Sequence, residues 1–364
     1  MLKDLKVKVG PNYYRYHKGA IDVIPDILND YMCKNILIVH GSISWRKAIP
    51  KMNFLKQLNQ KIYYHKYTGE CSYYGADLIK NLVDKYNIDF IIGVGGGKLA
   101  DLVGYAANIS NVNFGLIPTI VSNCAAWTPL SVMYKENGMS EGVTEHYTRQ
   151  AVFLITDPYL VIDSPIKFFK AGIADTIAKW YESEAILAQQ KLINEPFLKL
   201  ASFTCRLCND VIMNESEKAI NDMQQKLVTD EFVHVSEIII AIAGLCGGLG
   251  DKYARNAIAH AMHDAMSKYV SKCHKYLHGE KVAYGIFYQL AVEDKWSTID
   301  KLMDLYLKLN LPKSLKDMGI SLNELPIDEI VKFVNSKEKV HLLPIEINED
   351  ILKNSIIKLE QYIR

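Results

Sequence analysis

Asp89-Phe90-Ile91-Ile92-Gly93-Val94-Gly95-Gly96-Gly97-Lys98 decides the fold. Its first six residues hold an apolar run without polar alternation, which suits a parallel strand covered on both faces. The run goes straight into three glycines and a lysine, and residues 99–107 then read as a helix. Glycines let a backbone approach an anion closely, and the free N–H groups of a helix start favour phosphate. Lys98 adds positive charge. The pattern is neither Gly-x-Gly-x-x-Gly nor a P-loop. A tight strand-to-helix turn and a pyrophosphate cradle therefore both fit it. With a pyrophosphate at Gly95, Gly96, Gly97 and Lys98, the first half of the chain is a dinucleotide domain.

The flanking sequence repeats the alternation. Ile36-Leu37-Ile38-Val39 is a second apolar run, ending in His40-Gly41-Ser42. Residues 61–67 and 114–117 read as strands, the latter stopping at Pro118-Thr119, and residues 74–86 read as a helix. Residues 1–30 give short strand-like pieces and then a helical run from Gly19. Strands alternating with helices argue an α/β domain with a parallel sheet. The character changes at Asp163-Ser164-Pro165, a polar cap followed by proline, which is a helix start. Helical periodicity then dominates over residues 165–190, 195–213, 231–245, 255–269, 281–294 and 297–309. We divide the chain into an α/β dinucleotide-binding domain, 1–162, and an all-helical metal- and substrate-binding domain, 163–364.

Composition agrees with two ordinary cores. At 364 residues the chain has length for two domains of roughly 150. A formal net charge of +1 gives no field that would draw nucleic acid or an anionic membrane surface. No span reaches the roughly 20 apolar residues of a membrane helix; the best run, 238–250, is short and glycine-rich. The N-terminus lacks a signal-peptide core, so a cytoplasmic enzyme is the expectation. The seven cysteines are scattered. Cys205 and Cys208 form a lone Cys-x-x-Cys with no second pair, which reads as buried reduced thiols.

Residues 255–285 hold His260, His263, His274 and His278, four of ten histidines, in apolar helical sequence. His260 and His263 share a helix face. His278 stands just before Gly279-Glu280 and a new helix, so a turn could bring its imidazole to the same point. Far upstream, Gly172-Ile173-Ala174-Asp175-Thr176-Ile177-Ala178 sets one carboxylate among apolar and small residues. A buried lone carboxylate is costly unless paired or metal-bound. One Asp and two His suit zinc, with a position left for a substrate oxygen. His263 reads as a supporting or proton-relay residue, His274 as peripheral, and Asp264 as a helix-surface charge.

The adenine ribose should lie at the end of the first apolar strand, where a carboxylate repels a 2′-phosphate. Here His40-Gly41-Ser42 stands there, with Trp45 and Arg46 behind it. That arrangement tolerates NADP(H) as well as NAD(H).

Taken together, Gly-Val-Gly-Gly-Gly-Lys, Pro-Thr-Ile-x-Ser, Ala-Gly-Ile-x-Asp-Thr-Ile-Ala-Lys-Trp-Tyr-Glu, Ala-His-Ala-Met-His and His-Gly-Glu-Lys-Val-Ala-Tyr-Gly resemble the glycerol dehydrogenases. These belong to the iron-containing, often zinc-using, alcohol dehydrogenase superfamily. The resemblance runs over nearly the whole chain. It implies an N-terminal Rossmann-like domain, a helical C-terminal domain and a cleft between them, in a homo-oligomer. Its metal ligands, for Zn²⁺ or alternatively Fe²⁺, fall on Asp175, His260 and His278. Its dinucleotide contacts fall on Gly41, Gly95, Gly96, Gly97, Lys98, Asp101, Thr119, Ser122, Thr128, Leu130 and Tyr134. The implied reaction is a metal-dependent, NAD- or NADP-linked exchange between a small secondary alcohol and its ketone, of the glycerol/dihydroxyacetone type.

Three departures bear on the substrate. Cys124 stands where the family has a substrate-contacting Asp, Gly41 replaces the acidic residue, and Lys252 and Arg255 replace an acidic residue and a glycine. Ser-Asn-Cys-Ala-Ala-Trp-Thr-Pro-Leu-Ser-Val and Gly-Gly-Leu-Gly-x-x-Tyr-x-Arg are similar to a hydroxycarboxylate dehydrogenase subgroup that reduces 2-oxo acids. Cations suit a substrate carboxylate better than a neutral triol, which makes Cys124, Lys252 and Arg255 substrate candidates. Three other classes stay open: a lyase on the related dehydroquinate synthase scaffold, a non-catalytic dinucleotide-binding module, and a structural metal protein. The lyase has Glu where this chain has Asp175, and phosphate-binding lysines that are missing here.

Overall fold

The computed structural model describes residues 2–363. The chain forms two compact units: Gly10–Ile166 with Asp222–Val233, and Met1–Val9 with Lys167–Asn221 and His234–Arg364. Three short segments, 1–9, 163–166 and 222–233, thus belong to the unit opposite the one that a single division at residue 162 gives them.

The first unit is the α/β one. Its sheet contains β1 (Tyr13–Tyr16), β2 (Asn35–His40), β3 (Lys61–Lys66), β4 (Phe90–Gly95), β5 (Asn113–Pro118) and β8 (Phe153–Thr156), in the order β1-β8-β5-β4-β2-β3. Every pair in it is parallel. The helices α1 (Ile24–Asp30), α2 (Ile43–Ala48), α3 (Tyr73–Tyr86) and α4 (Gly97–Ser110) connect successive strands from β1 to β5, and the short α5 (Pro158–Val161) follows β8. β2 and β4 are buried at nearly every position, as unalternating apolar runs require. Phe90 stacks on Phe153 at 5.8 Å in the core. β3 and β4 lie on opposite sides of β2, so the winding reverses between β2 and β4. That reversal opens a crevice at the carboxyl ends of the strands. A separate antiparallel hairpin, β6 (Leu130–Tyr134) and β7 (Ser140–His146), follows β5.

The second unit is helical. It contains α6 (Ile166–Leu187), α7 (Pro196–Gln225), α9 (Ala243–Gly250), α10 (Ile258–Tyr269), α11 (His278–Val292), α12 (Trp296–Leu309), α13 (Ile327–Asn335) and α14 (Glu349–Tyr362). α8 (Asp230–Glu237) runs through a π turn, Ile238–Ile242, into α9. Asp230–Tyr253 is thereby a 24-residue run of helical turns, α8, the π turn, α9 and a final 3-10 turn, long and apolar enough by length and composition alone to cross a membrane. The apolar run expected at 238–250 and the helix expected at 231–245 are parts of this one stretch. In the protein, 72% of the most apolar window is buried. Cys205, Cys208 and Cys246 are buried reduced thiols in this unit, the last two with their sulfurs 3.9 Å apart.

Two glycines let three of these helices touch by their backbones. A Cβ on Gly279 would stand 1.8 Å from the carbonyl oxygen of Ala171 on α6, and one on Gly285 would stand 2.3 Å from that of Ala259 on α10. Real Cβ atoms do not approach backbone that closely, so α11 packs on both neighbours only because these positions lack one. The contacts lie one turn before Asp175, next to His260 and next to His278.

Candidate active site

Asp175 is 4% exposed, among the fully buried Ala174, Thr176 and Ala178. An ionised carboxylate there needs partners. Its Oδ1 lies 3.2 Å from His260 Nε2 and 3.2 Å from His278 Nε2. One ligand atom from each residue falls within 4.8 Å of the others. Asp175 and His260 are buried, whereas the His278 side chain is 41% exposed, so the cluster has an accessible side. One carboxylate oxygen and two imidazole nitrogens with an open side form the donor set of a catalytic zinc or non-haem iron ion.

Electrostatics reinforce the cluster. Burial pushes the Asp175 carboxyl up, but His278, Lys179 and the two imidazole hydrogen bonds hold it well below the usual carboxylate range. Burial opposes a charged His260 ring, but Glu182 and Asp175 together raise its pKa. Glu182 was missed as a functional residue in the sequence. It lies seven residues after Asp175 on α6, 2% exposed. Its Oε2 is 2.5 Å from His260 Nδ1, and its Oε1 accepts from the backbone N–H groups of Ala257 and His260 at 2.6 and 2.9 Å. The one available signal was a second acidic residue on the inward face of a helix already carrying a buried Asp.

His263 is buried beside these residues, its ring centroid 4.2 Å from that of His278. Its Nδ1 lies 2.9 Å from Asp264 Oδ1, and burial, then the His278 charge, hold its pKa down at about 3. Asp264 also meets Lys339 at 3.4 Å, so it is a paired group and not a bare surface charge. His274 is exposed and bonds the Ser267 carbonyl oxygen.

The two cations expected at the substrate differ in their surroundings. Lys252 Nζ pairs with Asp4 at 2.7 Å and lies 4.0 Å from Glu338, on the surface. Arg255 is more enclosed: Nη2 donates to the Gly247 carbonyl oxygen at 3.3 Å and lies 3.6 Å from Asp251 Oδ1. Asp251 has φ 48° and ψ −134°, a strained conformation for a non-glycine residue. Burial, followed by the Arg255 charge, depresses the pKa of Lys8. The Arg255 carbonyl oxygen accepts from Lys179, one turn beyond Asp175.

In the α/β unit the expected dinucleotide residues gather at one edge. The register pairs His40 with Val94 and Gly95 with Pro118, which aligns Gly41, Gly95–Gly97 and Thr119 at the carboxyl ends of β2, β4 and β5. α4 starts at Gly97, and no residue from Gly95 to Gly97 has a positive φ. Thr119 Oγ1 is buried without a hydrogen-bond partner among the described residues, as expected for an atom awaiting a ligand. His40 stacks on Trp45 at 4.3 Å behind Gly41. Lys98 is 54% exposed and pairs with Glu70 at 2.6 Å. Asp101 turns inward: it is 7% exposed and its Oδ2 accepts from Val132 N–H of β6 at 3.0 Å. Ser122, Cys124 and Thr128 are half-buried in the loop after β5, and Leu130 and Tyr134 bound β6.

Residues 11–158 match the family profile described as iron-containing alcohol dehydrogenase. Hydroxycarboxylate dehydrogenase A of Escherichia coli (strain K12) is 31% identical over 362 residues, covering 98% of each chain. A glycerol dehydrogenase of Thermotoga maritima is 28% identical over 326 residues, covering 85% of this chain and 84% of that protein. Among solved structures, glycerol dehydrogenase from Schizosaccharomyces pombe superposes with a TM-score of 0.86 at 24% identity, covering 98% of this chain and 91% of that one. The structural likeness speaks for the fold.

Proposed function

This chain belongs to the iron-containing alcohol dehydrogenase family, and on that premise we propose that it interconverts a small 2-hydroxy acid and its 2-oxo acid with NAD(H) or NADP(H). The observation that carries the chemistry is the convergence of Asp175, His260 and His278 on one point with an accessible side. These three residues would hold Zn²⁺ or Fe²⁺. When bound, that ion polarises the substrate oxygen and favours alkoxide character as hydride passes to or from C4 of the nicotinamide. Glu182 keeps the His260 ring in place. His263, with Nδ1 turned to Asp264, leaves Nε2 of a neutral ring as a hydrogen-bond acceptor beside His278. The edge formed by Gly41, Gly95–Gly97 and Thr119 would bind the dinucleotide backbone, with Lys98, Ser122, Thr128, Leu130 and Tyr134 as further contacts.

Arg255 supports the hydroxy-acid substrate. It lies five residues before His260, with Lys8 and Asp251 nearby. Its guanidinium can take a substrate carboxylate by two parallel N–H bonds. Lys252, tied to Asp4, is a weaker candidate. A second reading, a glycerol-type polyol and its ketone, is favoured by the glycerol dehydrogenases among the relatives. With Zn²⁺ or Fe²⁺ added, NADH and NADPH oxidation should be followed with 2-oxobutanoate, 2-oxoglutarate and dihydroxyacetone, for wild type and Arg255→Met. The hydroxy-acid reading expects turnover of the oxo acids and a loss specific to them in Arg255→Met. Equal or better use of dihydroxyacetone, with no effect of Arg255→Met, selects the polyol. No oxidation of either cofactor with any of the three would turn attention to non-redox chemistry on this scaffold.

A further inference from the structure

The first turn of a helix leaves its N–H groups without intrahelical partners. In α10 that turn lies in the core: Ala257, Ile258 and Ala259 are 0% exposed, and Ala257 offers no side-chain cap. Two side chains from other helices supply all the acceptors. Glu182 Oε1 takes the N–H groups of Ala257 and His260 at 2.6 and 2.9 Å. Gln289 Oε1 takes those of Ile258 and Ala259 at 3.0 and 3.2 Å. Glu182 belongs to α6, which carries Asp175, and Gln289 belongs to α11, which carries His278. Gln289 Nε2 also donates to the Tyr181 carbonyl oxygen on α6 at 2.8 Å and to Glu293 Oε1 at 2.9 Å. Polar side chains therefore tie each of these three helices to the other two, and the glycine contacts tie α11 to α6 and to α10.

We propose that Glu182 and Gln289 are positioning residues that preset the metal site, fixing the first turn of α10 and aiming Nε2 of His260 at Asp175 and His278. The inference rests on the reading of Asp175, His260 and His278 as metal ligands. Its logic for Glu182 is tautomeric. An ionised carboxylate only accepts hydrogen bonds, so with Oε2 at 2.5 Å the Nδ1 atom carries the hydrogen and Nε2 keeps its lone pair. The negative charge sits against the N-terminus of α10, where backbone N–H groups and the helix dipole stabilise it. Gln289 completes the turn without adding a second charge.

Glu182→Gln separates this role from simple packing. The amide oxygen still caps Ala257 and His260, but the amide NH₂ now faces Nδ1. The ring must accept there and carry its hydrogen on Nε2, the atom that would bind the ion. The full-length protein, stripped of metal, should then unfold near the wild-type temperature. Its affinity for Zn²⁺, measured by competition with a chromophoric chelator, should fall about 10- to 100-fold, and its Co²⁺ absorption bands should shift. Gln289→Met, of similar volume, should lower the unfolding temperature of the metal-free protein and weaken Zn²⁺ binding by a smaller factor. Wild-type Zn²⁺ affinity and an unchanged Co²⁺ spectrum in Glu182→Gln would overturn the inference for Glu182, and wild-type stability and affinity in Gln289→Met would overturn it for Gln289. His278→Ala distinguishes the two levels. If it binds Zn²⁺ as tightly as wild type, the metal assignment fails, and this inference falls with it.

Discussion

The carboxyl edge of the sheet and the histidine cluster, the two proposed ligand sites, are built of opposite materials. The sheet edge is mostly backbone: a strand, three glycines and the start of α4, set in register by parallel pairing. The side chains expected to help are otherwise engaged, Lys98 with Glu70 and Asp101 with the N–H of Val132. In the histidine cluster the side chains would be the ligands, and they come from three helices that only tertiary contacts hold together. A backbone site is set once its strand and helix form. A side-chain site must be braced, and here Gly279, Gly285, Glu182 and Gln289 brace it. Changes to the bracing should therefore cost more than changes of similar size at the sheet edge.

Gly279→Ala tests that difference where it should be largest. The new methyl would stand 1.8 Å from the Ala171 carbonyl oxygen, a backbone atom that cannot swing away. α6 and α11 must separate, and Asp175 and His278 with them. We expect destabilisation by more than about 3 kcal/mol and loss of Zn²⁺ binding, read by thermal unfolding with and without the ion. Wild-type stability in this variant would mean that the helices do not meet as tightly as described.

His278→Ala leaves the bracing and removes one proposed ligand. Turnover should drop by at least about 10³-fold, several kcal/mol of lost charge stabilisation. NAD(P)H binding, followed by nicotinamide fluorescence, should stay within a few-fold of wild type if the sheet edge holds the cofactor by its own backbone.

Asp101 gives the sheet unit a pH signature of its own. Burial raises its carboxyl from 3.8 to about 7, with the Val132 N–H bond offsetting part of the rise, and its Oδ1 lacks a partner among the described residues. The folded protein keeps a proton that the unfolded chain releases. Its contribution to stability is full below about pH 4, falls as the pH rises towards 7, and is flat beyond. At about 1.4 kcal/mol per unit the whole swing is about 4 kcal/mol. Asp101→Asn should remove that slope, so the variant gains on wild type between pH 5 and 7 in thermal or urea unfolding. A parallel pH dependence in the two proteins would show that Asp101 titrates normally.

The same contrast explains what could be read from the sequence. The strand, glycine loop and helix at 89–107 are local, and local pattern displays them directly. Asp175 was legible because a carboxylate in an apolar helical run demands a partner, and His260 and His278 because imidazoles are scarce in such sequence. Glu182 was not, since nothing in Lys-Trp-Tyr-Glu says that its partner is a histidine 78 residues away. Gln289 reads as a neutral residue in an apolar helix, and only the fold brings it to the first turn of α10. The inward turn of Asp101 depends on the hairpin that begins at Leu130, whose alternating, half-exposed strands carry a weak pattern.

Lys98 should show the smallest effect, and it probes the comparison from the other side. In the glycine loop its charge suggests a phosphate ligand, yet its ammonium is 54% exposed and meets Glu70 at 2.6 Å. A pair this open contributes at most about 1 kcal/mol and weakens with salt. Lys98→Ala should leave stability nearly unchanged and raise the NAD(P)H dissociation constant less than about tenfold. Glu70→Gln should release the ammonium, so if Lys98 reaches the phosphates, cofactor binding tightens at low salt and returns to the wild-type value at high salt. A hundredfold loss in Lys98→Ala would make a side chain the main anchor at the sheet edge. The two sites would then differ in position but not in kind.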